Sequence, residues 1–135
     1  MYIMLITIDT SALLAVLVNE PSKAKVIELT KETDLQAPAS LDAEVGNALS
    51  AMIKRNRISA SDAEKVINQF ENIPIRRTEL RLAAAVELAA AYNIYAYDAY
   101  VLDCAKQYRT PLLSLDRKMI ESAEQLQITT LEVPT

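Results

Sequence analysis

Short apolar runs alternate along the chain with longer segments of helical periodicity. The runs at 4–8 and 111–115 are largely apolar, as is typical of strands buried on both faces of a parallel sheet. An aspartate directly follows each run. Elsewhere apolar residues recur every three or four positions, which predicts amphipathic helices. The predicted strands are 4–8, 35–37, 73–77, 111–115 and 130–133, and the predicted helices are 12–18, 21–33, 41–55, 59–72, 79–92, 97–108 and 117–126.

This alternation predicts an α/β fold with a mostly parallel central sheet. A length of 135 residues is typical of one domain, so we expect a single domain over residues 1–135. The longest apolar runs are too short to span a membrane, and the first of them has no basic segment before it. Together with the single cysteine, these features predict a cytoplasmic protein with no membrane association.

The composition excludes several kinds of active site. The chain has no histidine, which rules out a Ser-His-Asp triad, a histidine general base and histidine zinc sites. Gly46 is the only glycine and Cys104 the only cysteine, so a glycine-rich phosphate loop and a four-cysteine zinc cluster are also excluded. Carboxylates, hydroxyls, amides and cations remain as candidate functional groups.

Two aspartates follow or end predicted strands of the sheet. Asp9 follows the first strand and Asp116 follows the strand at 111–115. If both strands are parallel, the two carboxylates lie at the same edge of the sheet, where ligands bind in open α/β folds. For either aspartate taken singly, capping of the following helix is the favoured interpretation.

Further acidic residues lie on the predicted helices and can be sorted by helical angle. Glu44 borders the apolar stripe of helix 41–55, with Asp42 on the opposite flank, although either could simply complement the helix dipole. Asp98 falls inside the apolar stripe of helix 97–108, whereas Asp103 is predicted to lie on the surface. An inward carboxylate needs a cation or hydrogen-bond donors, and Asp98 could obtain donors by capping its own helix.

Two strand-end aspartates and two core-bordering acids on separate helices could form one cluster of four carboxylates. The members are Asp9, Glu44, Asp98 and Asp116. Hard oxygen ligands without histidine or cysteine favour Mg2+ or Mn2+ over zinc or copper. The pattern therefore predicts a magnesium or manganese site.

Four short motifs occur in order along the chain, at 8–15 (IDTSALLA), 41–49 (LDAEVGNAL), 96–100 (AYDAY) and 111–117 (PLLSLDR). The ordered set resembles the motifs of PIN-domain ribonucleases, and most closely those of the VapC-like toxins of type II toxin-antitoxin systems. The resemblance runs from about residue 4 to residue 133. It implies a three-layer α/β/α sandwich with a parallel sheet.

The resemblance also implies the identity of the site residues. It puts Asp9, Glu44, Asp98 and Asp116 at the acidic positions of the family, and supports Ser11 and Ser114 as hydroxyls that orient Asp9, the metal or its waters. We expect the three aspartates to be the principal metal ligands. Glu44 is expected to be either a ligand or a base that orients water.

The implied activity is metal-dependent endonucleolytic hydrolysis of RNA, with one or two Mg2+ or Mn2+ ions. Where some relatives have a further acid after the last aspartate, this chain has Arg117 and Lys118, which argues against a second firmly held ion. These two residues, and Arg55 about 16 Å along the helix from Glu44, are candidates for binding RNA phosphates. Solvated surface is the more favoured interpretation for all three, and packing for most of the tyrosines.

The resemblance implies two protein partners, a small antitoxin and a second copy of the chain in a homodimer. The sequence leaves two alternatives to a nuclease. A phosphatase of the haloacid dehalogenase type would need a second aspartate two residues after Asp9, where this chain has Ser11. A non-catalytic domain whose acidic groove holds a cationic partner segment is the alternative from another functional class.

Overall fold

Seven helices and four strands occur in residues 3–134, the part of the chain that the computed structural model describes. The strands are β1 (Leu5–Ile8), β2 (Asp34–Pro38), β3 (Ile75–Thr78) and β4 (Leu112–Leu113). The helices are α1 (Thr10–Leu17), α2 (Lys23–Thr30), α3 (Leu41–Lys54), α4 (Ala60–Glu71), α5 (Leu82–Tyr92), α6 (Ala96–Tyr108) and α7 (Arg117–Gln125). None of these helices is both long and apolar enough to cross a membrane.

The strands form one parallel sheet in the order β3-β2-β1-β4. The strand predicted at 130–133 is wrong, because this segment makes a single parallel bridge between Thr130 and Leu112. Two backbone hydrogen bonds accompany the bridge, from Leu112 to Thr129 and from Leu131 to Leu112. Because β4 spans only two residues, the segment at 130–133 has few backbone groups available for pairing.

Helices cover both faces of the sheet, which confirms the predicted α/β/α sandwich with a parallel sheet. The larger apolar cluster joins the sheet to α1, α2, α3 and α4, with Ile6 and Ile8 pointing into it. The smaller cluster lies around α6, α7 and Leu112, with α5 packed against α6. Alternate residues of β1 face opposite layers, so Thr7 points toward α6.

Helix α6 is buried on more than one side, because it lies between the sheet and α5. The prediction that Asp103 is a surface residue is wrong, since this residue is 5% exposed. Its carboxylate accepts hydrogen bonds from the Arg81 guanidinium at 3.0 and 2.5 Å. The helical angle identified the face of α6 toward the sheet but not the second buried face toward α5.

The basic residues around β3 are also used within the fold. Arg77 forms a bidentate ion pair with Asp42. Arg76 donates to Gln36 and lies 4.8 Å from the ring centroid of Tyr108. The side chains of Arg76, Arg77 and Arg81 are thus all engaged in contacts within the fold.

Candidate active site

Asp9 lies directly after β1, at the carboxyl edge of the sheet, and is 5% exposed. Its Oδ1 atom accepts hydrogen bonds from the Ser11 hydroxyl at 2.6 Å and from the backbone N–H of Ala12 at 3.1 Å. Its Oδ2 atom accepts one from the Ser114 hydroxyl at 2.5 Å. Burial raises the pKa of Asp9 despite the opposing effect of these hydrogen bonds, and the negative charge of Asp116 adds to the rise. A bound cation would favour the ionised form of this carboxylate.

Hydrogen bonds of Ser11 and Ser114 connect the segment after β1 to the segment after β4. While each hydroxyl donates to Asp9, the Ser11 Oγ accepts from the Leu115 backbone N–H at 2.9 Å. The Ser114 Oγ accepts from the Asp116 backbone N–H at 3.0 Å. The two serines therefore fix the Asp9 carboxylate relative to the turn that carries Asp116.

Glu44 lies in the first turn of α3, where its two carboxylate oxygens have different partners. Oε2 accepts a hydrogen bond from the Ser40 hydroxyl at 2.9 Å, and Oε1 accepts a long one from Thr10 at 3.5 Å. Burial raises the pKa of Glu44 and the Ser40 hydrogen bond opposes this, while the charges of Asp9 and Asp98 add to the rise.

Ser40 and Thr10 are site residues that the sequence interpretation missed. Ser40 precedes Glu44 by four positions, a spacing that puts two residues on the same side of a helix, so a signal was present. Thr10 contacts Glu44 across 34 residues of sequence, and only the packing of α1 beside α3 brings the two together.

Asp98 and Asp116 complete the acidic cluster. Asp98 is half-buried in the first turn of α6, and Tyr95 is the N-cap of this helix with no side-chain capping bond among the described residues. Burial and the charge of Asp116 raise the pKa of Asp98, whereas Lys118 lowers it. Asp116 is exposed and caps α7, accepting at Oδ1 from the backbone N–H groups of Lys118 and Met119 at 2.9 and 3.3 Å. Asp116 therefore caps α7, and Asp9 caps α1 by accepting from the Ala12 backbone N–H, whereas Asp98 does not cap α6.

The fold brings the four predicted acids near one another. The charge of Asp116 contributes to the raised pKa of Asp9 and of Asp98, and the charges of Asp9 and Asp98 contribute to the raised pKa of Glu44, so neighbouring carboxylates form a ring. Within residues 3–134, no three side chains of aspartate, glutamate or cysteine lie close enough together, in the conformations observed, to bind one metal ion. Bringing three carboxylates onto a single cation would therefore require side-chain rotation.

The predicted phosphate-binding residues lie at two distances from this cluster. Arg117 and Lys118 are exposed in the first turn of α7, next to Asp116, and Lys118 acts on the pKa of Asp98. Arg55 is exposed at the C-cap of α3, at the opposite end of that helix from Glu44. Tyr95 and Tyr97 are 83% and 55% exposed, so burial in the core does not explain these two tyrosines.

Comparisons with known proteins identify the family and the fold. The PIN domain family pattern matches residues 6–125. Ribonuclease VapC12 of Mycobacterium tuberculosis is 28% identical over 120 residues, which make up 87% of this chain and 92% of that protein. PAE2754 from Pyrobaculum aerophilum has a TM-score of 0.65 at 20% identity, covering 91% of this chain and 86% of its own. VapBC2 from Rickettsia felis, bound to a DNA fragment from its promoter, has a TM-score of 0.68 at 12% identity, covering 97% of this chain and 100% of its own.

Proposed function

The chain belongs to the PIN domain family, and from this premise we propose that it is a metal-dependent endoribonuclease that hydrolyses RNA phosphodiester bonds as the toxin of a toxin-antitoxin pair. The observation that carries the proposal is the ring of four electrostatically coupled carboxylates at the carboxyl edge of the parallel sheet. The similarity to a protein named as a ribonuclease supports RNA as the substrate. We also propose that residues 1–135 act as a single domain.

The donor set fits Mg2+ or Mn2+. All four candidate groups are carboxylates, and three of them have a pKa raised by burial, so a hard divalent cation would stabilise their ionised forms. Asp9, Asp98 and Asp116 would hold the ion, with Glu44 as a further ligand or as a base that orients water. When bound, such an ion lowers the pKa of water and neutralises charge on the phosphoryl oxygens.

The side chains around the acids have supporting roles. Ser11 and Ser114 keep the Asp9 carboxylate in one orientation, and Ser40 does the same for Glu44. Lys118 supplies positive charge beside Asp98, which favours one firmly held ion over two.

Arg117 and Lys118 are the best candidates for binding RNA phosphates beside the acids. Both are exposed in the first turn of α7, where cations are unfavourable because the positive end of the helix dipole lies there. Helix stability therefore does not explain their position, whereas binding of flanking phosphates does. Arg55 lies further away and would contact a longer RNA along α3.

Incubation of the purified chain with single-stranded RNA in Mg2+ or Mn2+ tests the proposal. We expect cleavage that EDTA abolishes and that Asp98→Asn reduces about 100-fold or more, because this change removes a charge needed for metal binding. Asp34→Asn is the matched control and should cleave like wild type. Asp34 is an exposed aspartate at the amino end of β2, at the opposite edge of the sheet from the candidate acids.

Two results would contradict the proposal. Cleavage that persisted in EDTA, or in Asp98→Asn, would exclude a metal-dependent mechanism at this site. If the metal-loaded wild type cut no RNA, the non-catalytic domain with a cationic partner segment would become the better explanation.

Two protein partners belong to the proposal. A small antitoxin whose cationic segment covers the acids is supported by the structural similarity to VapBC2. A homodimer through α5 is supported by the exposed side chains of Leu82 and Val86, which are 61% and 59% exposed. The cytoplasm is the proposed site of action.

A further inference from the structure

A groove of about 260 Å³ opens beside Glu44, between the start of α1, the first half of α3 and the first turn of α6. The groove is continuous with the acidic cluster, because Glu44 belongs to both. Its lining residues are Thr10, Ala43, Glu44, Asn47, Ala48 and Tyr97.

Tyr97 presents an aromatic ring at this groove that packing within the fold does not bury. The residue is 55% exposed, an unusual position for a large aromatic side chain. Its ring meets that of half-buried Tyr100 edge to face, with the centroids 6.0 Å apart and an interplanar angle of 78°. This contact restricts the orientation of the Tyr97 ring, so a planar ligand stacking on it would lose less conformational entropy.

The remaining walls of the groove favour a flat, neutral and polar-edged ligand. Ala43 and Ala48 leave room because their side chains are small, and Asn47 offers both a hydrogen-bond donor and an acceptor. Glu44 would repel a phosphate inside the groove. It is also less available to a guanidinium, because its two oxygens already accept hydrogen bonds from Ser40 and Thr10.

We propose that this groove binds one unpaired nucleobase of the RNA, from a nucleotide adjacent to the phosphate that is cut, stacked on Tyr97 with its edge toward Asn47. This inference rests on the proposed function, since continuity with Glu44 is what brings the base beside the reacting phosphate. Unpaired bases expose both their faces and their edges, so the groove would select single-stranded RNA and favour some bases over others at the cleavage position.

Cleavage kinetics on a single-stranded RNA of mixed sequence, with every cut position mapped, tests the base site. Tyr97→Ala should raise KM about tenfold or more, change kcat much less and lose base preference at the cut position, because a stacking partner is removed. Tyr97→Phe keeps the ring and should behave like wild type. Tyr95→Ala is the matched control, since Tyr95 is a still more exposed tyrosine that does not line the groove.

A binding measurement that does not depend on cleavage separates this inference from the proposed function. The probe is a short single-stranded oligoribonucleotide containing 2-aminopurine, whose fluorescence is quenched by stacking, added to the Asp98→Asn variant. We expect quenching with Asp98→Asn alone and together with Tyr97→Phe, and its loss when Tyr97→Ala is added.

Three outcomes would overturn the base site. The first is a Tyr97→Ala variant with the KM and cut positions of wild type, and the second is equal quenching with and without the Tyr97 ring. The third is that Tyr97→Ala weakens binding of an arginine-rich peptide but not of the oligonucleotide, which would assign the groove to a protein partner. If wild type cut no RNA, the nuclease proposal would fail, while the quenching comparison would still decide the base site.

Discussion

At the scale of single residues, the four acids differ in how firmly the fold holds them. Both oxygens of Asp9 accept hydrogen bonds from serines, one in the first turn of α1 and one directly after β4. Glu44 depends mainly on Ser40, because its contact with Thr10 is long at 3.5 Å. Ser40 is 7% exposed and is the N-cap residue of α3, yet its side chain makes no capping bond within the described residues. Its hydroxyl is therefore directed to Glu44 rather than to helix stability.

Ser40→Ala should weaken the site without unfolding the protein. Losing the hydroxyl frees the Glu44 carboxylate to rotate, and we expect Mn2+ affinity, kcat or both to fall about 10- to 100-fold, as for other residues that orient metal ligands. Isothermal titration with Mn2+ and steady-state RNA cleavage measure the two quantities.

Ser50→Ala is the control for this prediction. Ser50 lies on the same helix, is exposed and donates to the Asn47 carbonyl of its own helix. A Ser40→Ala variant that bound Mn2+ and cut RNA as well as Ser50→Ala would show that Glu44 does not need this hydrogen bond.

At the scale of elements, a line of polar side chains crosses three neighbouring strands under α6. Thr7, Gln36 and Arg76 are register partners on β1, β2 and β3. Gln36 donates to the Thr7 hydroxyl at 2.9 Å and accepts from Arg76 at 2.6 Å, and the Thr7 and Thr110 hydroxyls are 2.6 Å apart. Because buried polar groups are costly without partners, a one-residue slip of any strand would leave several of them unpaired. The line therefore favours the observed register of β1, β2 and β3.

Thr7→Val should lower the free energy of unfolding by about 1–3 kcal/mol, because Gln36 and Thr110 lose a partner in a region that water does not reach. Thr7 is 0% exposed, so solvent cannot replace the hydroxyl. Urea denaturation of the wild type and the variant measures the difference.

Thr30→Val provides the comparison for Thr7→Val. The Thr30 hydroxyl bonds to the Val26 carbonyl of its own helix, and its loss should change the free energy of unfolding by less than about 0.5 kcal/mol. Equal urea midpoints for the two variants would mean that the polar line contributes nothing measurable to stability.

At the scale of the whole molecule, the net charge of −4 equals in magnitude the number of candidate acids in the site. The chain has 18 acidic and 14 basic residues, and setting aside the four candidate acids leaves the rest balanced. Burial and mutual repulsion raise the pKa of Asp9, Glu44 and Asp98, so without metal the folded chain holds protons that the unfolded chain releases. In the proposed function, a divalent cation would neutralise this charge where RNA binds.

The metal-free protein should therefore lose stability as pH rises from about 5 to 7. The raised pKa values lie above the usual 3.8 of aspartate and 4.5 of glutamate, and in the window above these values the folded state binds more protons than the unfolded state. The pKa of Asp42 is lowered by Arg77, so its titration lies below this window. The chain has no histidine that would titrate within it. Urea unfolding in EDTA at several pH values gives the slope.

Mg2+ should reverse this slope, because it binds the ionised carboxylates and competes with protons for them. Its stabilising effect should accordingly be larger at pH 7 than at pH 5. In Asp98→Asn both the slope and the Mg2+ effect should be smaller. Stability that stayed level or rose with pH in EDTA would contradict the raised pKa values.

The sequence by itself determined the alternation of strands and helices and a mostly parallel sheet, because apolar periodicity is a local pattern. Its resemblance to PIN-domain ribonucleases implied the three-layer sandwich and the four acidic positions. A preference for Mg2+ or Mn2+ is also a prediction from the sequence, since a chain without histidine and with one cysteine has mainly oxygen ligands to offer.

Only the tertiary structure decided the contacts that join distant segments. Asp103 is buried and pairs with the partly exposed Arg81 because α5 covers a second face of α6. Thr10 reaches Glu44 with a long hydrogen bond because α1 packs beside α3. The strand expected at 130–133 is reduced to one bridge because β4 is too short to pair with it. The groove at Tyr97 likewise exists only where three helices meet. Periodicity reports which side of an element is apolar, whereas the neighbour that each side meets depends on how the helices pack on the sheet.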